Sequence, residues 1–508
     1  MKKMKRTKIG GMMGIVVIGL ILIPTTDAAI LWGPYITDTD INSTTINWKT
    51  EDTTPEMVKY ATEEYYTEHG DYDHTIEDTE EAQLHHLVIK NLTPSTVYHY
   101  QLTVEGDPTG DYTLRTYGDG SFTFVVYGDT REQTGLFTQM ERHKLVADRI
   151  AEEENVSFVI HTGDFACFGD DLDEWNDFFD AGGAMLANTT IYPVLGNHED
   201  NHTNYYEAFG VSEWYSFNCG NAHFAVLDSN DWADITSETA WLQEDLDRNT
   251  TWKFVSFHHP PYSSDERHWG GWTHLRDHWG NIFIENNVDA VFNGHVHVYE
   301  RYLENGIQYV VLGCGGAPLY SLAEEKIPGY QNSMEHTLGY ARITVNGEEA
   351  TMDLIKVADV SEGNKKVTYV YPPNTIFETV ILGEVFDRKV LSATANVEIP
   401  MIGITLNRSE IDYGSVAAGE GSENETVKIT NIGSSEVSVT LDIDATTETG
   451  QDFYEASLFV NDDLYNPIST ITSIPSGSDD DVTTQLRVPS DWNEGGTYDA
   501  TFVFWAEV

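Results

Sequence analysis

The middle of the chain contains five short motifs rich in glycine, aspartate and histidine, and each follows an apolar run. This repetition limits the fold more than any other feature of the 508-residue sequence. Short apolar runs are typical of buried strands, and strands that alternate with helical patterns predict a layered α/β domain. The strands of such a domain end at one edge of a sheet, so we expect the motifs to lie together. They are Gly128-Asp129-Thr130-Arg131, Gly163-Asp164, Gly196-Asn197-His198-Glu199, Phe257-His258-His259-Pro260 and Gly294-His295-Val296-His297.

Three segments between these motifs have apolar residues at helical spacing. In the first, Leu136, Met140, Val146 and Ile150 can share the face of a helix that packs on the sheet. Ser237 precedes the third segment and can cap it, because a serine hydroxyl accepts a hydrogen bond from the first helical turn. The predicted helices span residues 136–154, 172–185 and 238–246.

The sequence on either side of this region is composed of short strand patterns separated by polar turns. Residues 30–117 predict a small β-sandwich, and the stretch from Leu92 to Tyr100 is similar to the proline turn and tyrosine corner of a fibronectin type III-like module. Residues 385–508 predict a second, immunoglobulin-like β-sandwich that carries no catalytic cluster. The catalytic core is therefore expected to span residues 118–384.

The first 29 residues have the order of a secretory signal peptide. Five basic residues among the first eight precede an apolar stretch from Ile9 to Ile23, and small residues end the segment at Ala28-Ala29. The apolar stretch is short for a membrane span. We predict a signal peptide at residues 1–29 and a mature protein that is secreted or at the cell surface, with no membrane span; an uncleaved anchor is the alternative.

The chain is strongly acidic, with a formal charge of −55 at pH 7. Removing residues 1–29 takes away five positive charges and Asp27, which leaves −59. Such a surface repels nucleic acid and anionic lipid, so neither is expected as a bulk partner. It also repels itself at low ionic strength, which predicts a halophilic protein that works in a salty medium. The three cysteines show no CxxC spacing and form at most one disulfide, so packing must supply the stability.

The five motifs offer a set of metal ligands. Alternate residues of a strand point to the same side, so His295 and His297 are expected to face one spot. Two aspartates, an asparagine and at least three histidines mix hard oxygen with borderline nitrogen, which suits zinc, manganese or iron rather than calcium. These ligands are too many for one ion, and a shared carboxylate would give a two-metal site with ions about 3.5–4 Å apart.

The order of the motifs resembles the signature blocks of the calcineurin-like metallophosphoesterase superfamily, and in particular its purple acid phosphatase branch. The resemblance covers roughly residues 30–384, because that branch also places a fibronectin-like module before its catalytic domain. It implies a core of two packed sheets flanked by helices. The expected fold is therefore an α/β (α+β layered) core with all-β sandwich domains at both ends.

The resemblance also implies a role for each motif residue. Asp129, Asp164 and His297 would hold one di- or trivalent ion, and Asp164 would bridge to a second. His198 would face the substrate and protonate the leaving group. The remaining ligands of the second ion would be Asn197, His258 and His295.

The sequence departs from the purple acid phosphatase pattern at Cys167, where that branch has a tyrosine whose bond to ferric iron gives the purple colour. The identity of the first ion is therefore open among iron, zinc and manganese. Arg131, two residues after Asp129, can either grip a phosphate or form a structural salt bridge. His268 stands where the branch keeps a substrate-facing histidine, and His259 is a further candidate for substrate binding.

These expectations predict a hydrolase of small phosphate monoesters. Two cations bind the phosphoryl oxygens, a metal-bound water that has lost its proton attacks, and His198 protonates the leaving alkoxide. A phosphodiesterase or nucleotide hydrolase with the same metal site is the alternative within the enzyme class. The alternative outside it is an inactive cell-surface binding protein, for which the two β-sandwich domains would supply the surface; the nearly complete ligand set argues against that reading.

Overall fold

The computed structural model of the chain describes residues 30–383, apart from 52, 54–55, 80 and 105, and parts of 389–507. Those parts are residues 389–390, 404–407, 411, 413, 416–431, 437–445, 453–454, 456–465, 470–475, 477–490 and 500–507. The predicted signal peptide lies outside the described residues. Within the described ranges, no helix has the length and apolar character needed to span a membrane.

The N-terminal segment is built mainly of antiparallel strands. Its Tyr98 hydroxyl accepts a hydrogen bond of 2.8 Å from the Thr93 amide, which is the hydrogen bond expected of a tyrosine corner. The elements are β1 (Ile30–Thr37), β2 (Ser43–Thr50), β3 (Glu56–Thr62), α1 (Glu63–His69), β4 (His74–Asp78), β5 (Leu84–Lys90), β6 (Val97–Val104), β7 (Asp107–Pro108) and β8 (Tyr112–Arg115). Strands β3, β4, β6, β7 and β8 form one sheet, whereas β1, β2 and β5 belong to another.

The central region alternates strands with helices. Its first half contains β9 (Phe122–Tyr127), a 3-10 turn (Gln139–Glu141), α2 (His143–Ala151), β10 (Val156–His161), α3 (Leu172–Leu186), β11 (Thr190–Pro193), α4 (Thr203–Phe209), β12 (Tyr215–Cys219), β13 (Ala222–Val226) and α5 (Ile235–Leu246). Its second half contains β14 (Trp252–Ser256), α6 (Thr273–Leu275), a π turn (Arg276–Gly280), α7 (Asn281–Glu285), β15 (Ala290–Asn293), β16 (Tyr299–Glu304), β17 (Ile307–Leu312), β18 (Tyr330–Met334), β19 (Thr337–Asn346), β20 (Glu349–Val360), β21 (Val367–Val370) and β22 (Ile376–Leu382).

Two sheets pack face to face and form the central core. The first has the strand order β21-β20-β19-β9-β10-β11-β1-β2-β5, with β22 also paired to β20, and the second has the order β12-β13-β14-β15-β17-β16-β18. Aromatic rings join them: the Phe124 ring of β9 lies 5.2 Å from the Phe224 ring of β13 and 5.4 Å from the Phe254 ring of β14. Helices α2 and α3 contribute to this core, and α5 and α7 pack on the second sheet. The predicted layered α/β core of two packed sheets is confirmed.

The first sheet continues from the central region into the N-terminal strands. Strand β1 runs parallel to β11 through the pair Ile36 and Thr190. The Trp32 ring of β1 stacks on Phe179 of α3 at 4.9 Å, and its indole nitrogen donates a hydrogen bond of 2.6 Å to Asn176. The N-terminal strands are therefore bonded to the central region by backbone and side chains, a contact that no sequence pattern indicated.

The predicted helix at residues 136–154 is wrong in its first half. Helix α2 begins only at His143, and Leu136 and Met140 are 45% and 47% exposed instead of facing the core. The chain turns before the helix because Gln133 pairs with Phe137 and the Gln139 side chain donates to the Phe165 carbonyl. The second predicted helix is confirmed as α3. The third begins earlier than expected, at Ile235, and Asp234 rather than Ser237 caps it by accepting a hydrogen bond from the Ser237 amide.

The described residues after 388 form two antiparallel sheets, as the sequence predicted for an all-β C-terminal segment. One sheet has the order β23-β31-β26-β29 and the other the order β24-β25-β30-β27-β28. Buried aliphatic side chains such as Ile429, Leu441 and Val482 form their common core. The strands are β23 (Lys389–Val390), β24 (Ile404–Leu406), β25 (Glu425–Asn431), β26 (Val437–Ala445), β27 (Leu458–Val460), β28 (Asp463–Leu464), β29 (Thr470–Ile474), β30 (Asp479–Leu486) and β31 (Ala500–Glu507).

Candidate metal centre

The five motifs meet where strands of both sheets end. The first three follow β9, β10 and β11 of the first sheet, and the other two follow β14 and β15 of the second. The backbone φ angles of Asp129, Asp164 and His295 are 56°, 60° and 65°. These angles lie in the left-handed region, which residues other than glycine seldom adopt. Backbone conformations of this kind cluster at functional sites, where the surrounding structure holds them in place.

Two glycines allow the motifs to approach each other. A Cβ atom on Gly196 would lie 2.4 Å from a carboxylate oxygen of Asp164, and one on Gly294 would lie 2.4 Å from a carboxylate oxygen of Asp129. Both distances are far below van der Waals contact, so any larger residue would displace a carboxylate. Glycine is required at these positions because the backbone packs directly against the carboxylates.

The first ligand group consists of Asp129, Asp164 and His297, all of them buried. The potential ligand atoms of the three side chains lie within 4.8 Å of one another. The His297 Nδ1–H donates a hydrogen bond of 2.7 Å to the Pro318 carbonyl, and its Nε2 lies 3.3 Å from Asp129 Oδ1. This hydrogen bond fixes the tautomer and turns the Nε2 lone pair towards the aspartates, as is usual for a histidine that binds a metal.

The second ligand group contains His258, Asn197 and His295. The His258 Nδ1–H donates to the Thr162 carbonyl at 2.7 Å, which leaves Nε2 without a proton in the neutral ring. That nitrogen lies 3.1 Å from Asn197 Oδ1, 3.1 Å from His295 Nδ1 and 3.2 Å from Asp164 Oδ1. Three potential ligand atoms thus surround this nitrogen, and a cation bound among the four atoms would displace a proton from Nε2 and satisfy all of them.

The charged groups here shift the pKa values of one another. Burial alone lowers the pKa of His258, but the neighbouring Asp164 carboxylate outweighs it and raises that pKa to about 9. Burial alone raises the pKa of Asp164, but the histidines around it hold that pKa well below its ordinary value. Asp164 is thus ionised, and it contacts both ligand groups. The two groups fit a pair of cations that share this carboxylate.

His259 lies deeper in the site than its predicted substrate-binding role required. Its ligand atom is within 4.8 Å of those of His258 and His295. Its Nδ1 forms a hydrogen bond of 2.9 Å with the Ser229 hydroxyl, and burial lowers the pKa of the ring well below the ordinary value. His259 is therefore a neutral ring held against the second ligand group.

His198 lies beside the ligands with one ring nitrogen turned towards them. Its Nδ1–H donates a hydrogen bond of 2.7 Å to the Cys167 carbonyl, and its Nε2 is 3.8 Å from Asp164 Oδ2. The side chain is 28% exposed, so solvent and a bound substrate can reach it. A ring held through Nδ1 with an accessible Nε2 can transfer a proton at that atom.

Arg131 and Cys167 lie next to each other at the edge of the first group. Arg131 Nε is 3.8 Å from Asp164 Oδ2, and its Nη1 is 3.9 Å from the Cys167 sulfur. The buried Arg131 Nε has no hydrogen-bond partner among the described residues. Burial raises the pKa of the Cys167 thiol, and the sulfur belongs to neither ligand group in the described part of the chain.

His268 approaches the second group from the loop after β14. Its Nδ1–H donates a hydrogen bond of 2.8 Å to Asp265, which leaves Nε2 free to meet a ligand. The ring stacks on Trp272 at 5.1 Å and lies 5.1 Å from the His295 ring. Residues 267–269 and 271–274, which include the His268 and Trp272 rings, line a surface pocket of 380 Å³.

Glu199 is a residue whose importance the sequence reasoning missed. Its fully buried carboxylate accepts hydrogen bonds from the amides of Asp164 at 3.0 Å, Phe165 at 2.8 Å and Gly196 at 2.9 Å. Burial, together with the nearby Asp164 charge, raises its pKa to about 8. Glu199 thus fixes the turn that carries Asp164. The sequence signal was its place in the third motif, but an acidic residue after a strand is usually solvated.

Comparison with protein families assigns both parts of this arrangement. Residues 122–299 match the calcineurin-like phosphoesterase family. Residues 122–299 therefore form a calcineurin-like phosphoesterase domain. Residues 34–122 match the N-terminal domain of purple acid phosphatases.

Individual relatives are distant. The chain is 26% identical over 310 residues to a phosphoenolpyruvate phosphatase of Allium cepa, an alignment that covers 55% of this chain and 61% of the relative. It is 26% identical over 305 residues to purple acid phosphatase 5 of Arabidopsis thaliana, covering 53% of this chain and 72% of the relative. The chain thus spans about three fifths of the onion protein.

Two solved structures share the fold. A purple acid phosphatase from yellow lupin (Lupinus luteus) seeds superimposes with a TM-score of 0.55 at 16% identity, covering 66% of this chain and 72% of the lupin chain. The structure of PhoD superimposes with a TM-score of 0.54 at 13% identity, covering 69% of this chain and 94% of that chain. At these identities the similarity shows the fold alone.

Proposed function

We propose that the chain is a secreted phosphoester hydrolase with two metal ions, which acts on small phosphate monoesters. The observation that carries this proposal is the position of Asp164 between two groups of ligand atoms, one with Asp129 and His297 and one with His258. Iron, zinc and manganese all suit this mixture of carboxylate and imidazole ligands. When bound, the ions would supply positive charge to the phosphoryl oxygens and activate a water molecule.

The residues around the ligands can bind the phosphoryl group and transfer a proton. The cationic side chain of Arg131 lies beside Asp164, and its guanidinium group can bind a phosphoryl oxygen. His268 lies beside the second ligand group, and its Nε2 can donate to a phosphoryl oxygen when the ring carries a second proton. His198 can likewise give a proton to the leaving oxygen at Nε2, which faces the ligands, when its ring is protonated.

A phosphodiesterase is the second candidate. The pocket lined by residues 267–269 and 271–274 includes His268 and can receive a second alcohol group. The purple acid phosphatase N-terminal match and the named relatives support the monoesterase instead.

Elemental analysis combined with a substrate panel tests this proposal. The protein, purified without chelator, is expected to contain about two transition-metal ions per chain and to hydrolyse ethyl phosphate faster than diethyl phosphate. Removing the ions with a chelator should stop turnover, and returning them singly would identify the active metal. Metal-free protein that still hydrolyses esters, or loaded protein that hydrolyses none, would contradict the proposal.

The stability of the protein is expected to rise with salt. The 83 acidic residues face only 28 basic ones, so self-repulsion dominates the long-range electrostatics and salt screens it. We expect the melting temperature to increase by roughly 5–10 °C between low ionic strength and molar sodium chloride, a gain of a few kcal/mol. Sorbitol at matched osmolality is the control for general solute effects. A flat or falling melting temperature would show that the acidic surface is not a salt adaptation.

The loaded protein is expected to lack an intense purple colour. That colour needs a tyrosinate bound to ferric iron, and the position three residues after Asp164 is Cys167. The visible spectrum of iron-loaded protein checks this, and the variant Cys167→Tyr serves as the positive comparison. An intense band in the unmodified protein would mean that another tyrosine binds the iron.

A further inference from the structure

Exposed apolar side chains occur on segments that follow strands of the two central sheets. Fourteen large apolar residues are exposed among the described residues, and six of them lie on the segments after β9, β10, β13 and β14. Exposed apolar patches on soluble proteins commonly mark binding surfaces. The six are Leu136, Met140, Phe168, Leu172, Trp232 and Trp269.

Phe168 is held directly beside the proposed proton donor. The His198 ring donates to the carbonyl of Cys167 at 2.7 Å, and the Gly169 amide donates to the His198 carbonyl at 3.0 Å. Phe168 lies between these two bonded residues, yet its side chain is 59% exposed, the largest value among the exposed apolar residues. The backbone of Phe168 is therefore held next to His198, while its phenyl ring is exposed to solvent.

Leu172 and Met140 are each 47% exposed. Leu172 begins α3 four residues after Phe168. The segment of Met140 is tied to the same place, because the Gln139 amide donates to the carbonyls of Phe165 at 3.0 Å and Glu174 at 3.4 Å. We call the side chains of Leu136, Met140, Phe168 and Leu172 the apolar rim.

Four carboxylates lie near the apolar rim, whereas the nearby cation Arg131 lies against Asp164 and Cys167. Burial raises the pKa of Glu132, and the neighbouring carboxylates of Glu174, Asp177 and Asp171 raise it further. A leaving group with its own negative charge would be repelled here, as would an anionic lipid surface. An uncharged hydrocarbon chain meets no such cost and covers apolar surface.

We propose that the apolar rim binds the hydrocarbon part of the leaving group, so that the preferred substrates are phosphate monoesters of alcohols with long alkyl chains. This inference rests on the proposed function. In the reaction, a water oxygen forms the new bond to phosphorus and the bond from phosphorus to the alkyl oxygen breaks. His198 gives its Nε2 proton to that oxygen and is reprotonated from the water, so the products are the alcohol and inorganic phosphate.

A series of alkyl phosphates tests the proposal on the metal-loaded full chain. Ethyl, butyl, hexyl and octyl phosphate are compared below their micelle concentrations. Full burial of one methylene group strengthens binding by about fourfold. The rim is open to solvent and buries each methylene only in part, so kcat/KM is expected to rise by about twofold for each added methylene. Phe168→Ser and Leu172→Ser should each lower the ratio of the octyl to the ethyl kcat/KM by about 3–10-fold.

Ile381→Ser is the matched control, because Ile381 is 50% exposed but lies in β22, which pairs with β20 and precedes no motif of the site. It should leave the ratio unchanged. If ethyl phosphate is hydrolysed but kcat/KM does not depend on chain length, the inference is overturned and the proposed function is left intact. If no ester is hydrolysed, the proposed function itself is contradicted. Sedimentation of each variant tests whether the rim binds a second copy of the chain instead. If the parent protein is a dimer that Phe168→Ser dissociates, and the octyl to ethyl ratio is unchanged, the rim binds a second copy.

Discussion

Replacing Asp164 by alanine is expected to abolish turnover and to reduce the metal content towards zero. Its carboxylate lies within ligand distance of both groups, so the substitution removes an anionic ligand from each proposed ion. Loss of a carboxylate that contacts only one ligand group would weaken the binding of one ion only. The histidines of the second group would then face one another with no buried anion among them, which disfavours a cation there. Elemental analysis and kcat/KM for ethyl phosphate measure both effects.

Two comparisons keep this prediction specific. Asp231→Ala removes a carboxylate from an exposed position and should change neither metal content nor activity. Asp164→Asn keeps the shape of the side chain, so it should fold like the parent protein and still lose most of its metal. If Asp164→Ala kept both ions and its turnover, the shared carboxylate would have to be assigned to another residue.

The sequence predicted that the candidate ligands would meet, because their motifs follow strand ends. Asp129, Asp164 and His258 each lie two or three residues after a buried strand, and neighbouring strands of a sheet end at one edge. The distances between the side chains were not predictable. They depend on left-handed backbone at Asp129 and Asp164 and on close contact with Gly196 and Gly294, which follow from the packing of two sheets.

The residues that hold the candidate ligands through hydrogen bonds could not be identified from sequence patterns. Glu199 bonds to the turn of Asp164 and Ser229 bonds to His259, each from another loop, so their roles appear only after folding. The pairing of Ile36 with Thr190 is of the same kind, since it joins elements far apart in the chain. Asp265 bonds to His268 within one loop, at a spacing of three residues that indicates no such contact by itself.

The error at Leu136 and Met140 has a physical reason that bears on function. Their spacing with Val146 and Ile150 fits a helix, but spacing does not distinguish a buried face from an exposed one. In the structure the chain turns before His143, and these two residues remain at the surface beside the candidate metal centre. A pattern that predicts core packing can equally produce an apolar surface that binds substrate.

Replacing His198 by alanine is expected to leave the metals bound and to slow turnover to a degree that depends on the leaving group. The nearest approach of its ring to the ligands is the 3.8 Å contact with Asp164, so no ligand is lost. An ethyl ester leaves as a basic alkoxide that needs a proton, whereas a nitrophenyl ester leaves as a stabilised anion that needs it less. General acid catalysis is typically worth about 10²–10⁴-fold, so ethyl phosphate should suffer a loss of that order and nitrophenyl phosphate a clearly smaller one.

The ratio of kcat/KM for the two esters, measured in the parent protein and in the variant, separates two roles for this residue. A proton donor affects the ethyl ester more, so the ratio changes, while a residue that only binds the phosphate weakens both esters alike. Ethyl phosphate is the right alkyl substrate because its short chain makes little use of the apolar rim next to His198. His278→Ala, at an exposed histidine in the π turn, controls for the loss of an imidazole and should leave both values unchanged. An unchanged ratio in His198→Ala would make His198 a positioning residue and would require another source for the proton.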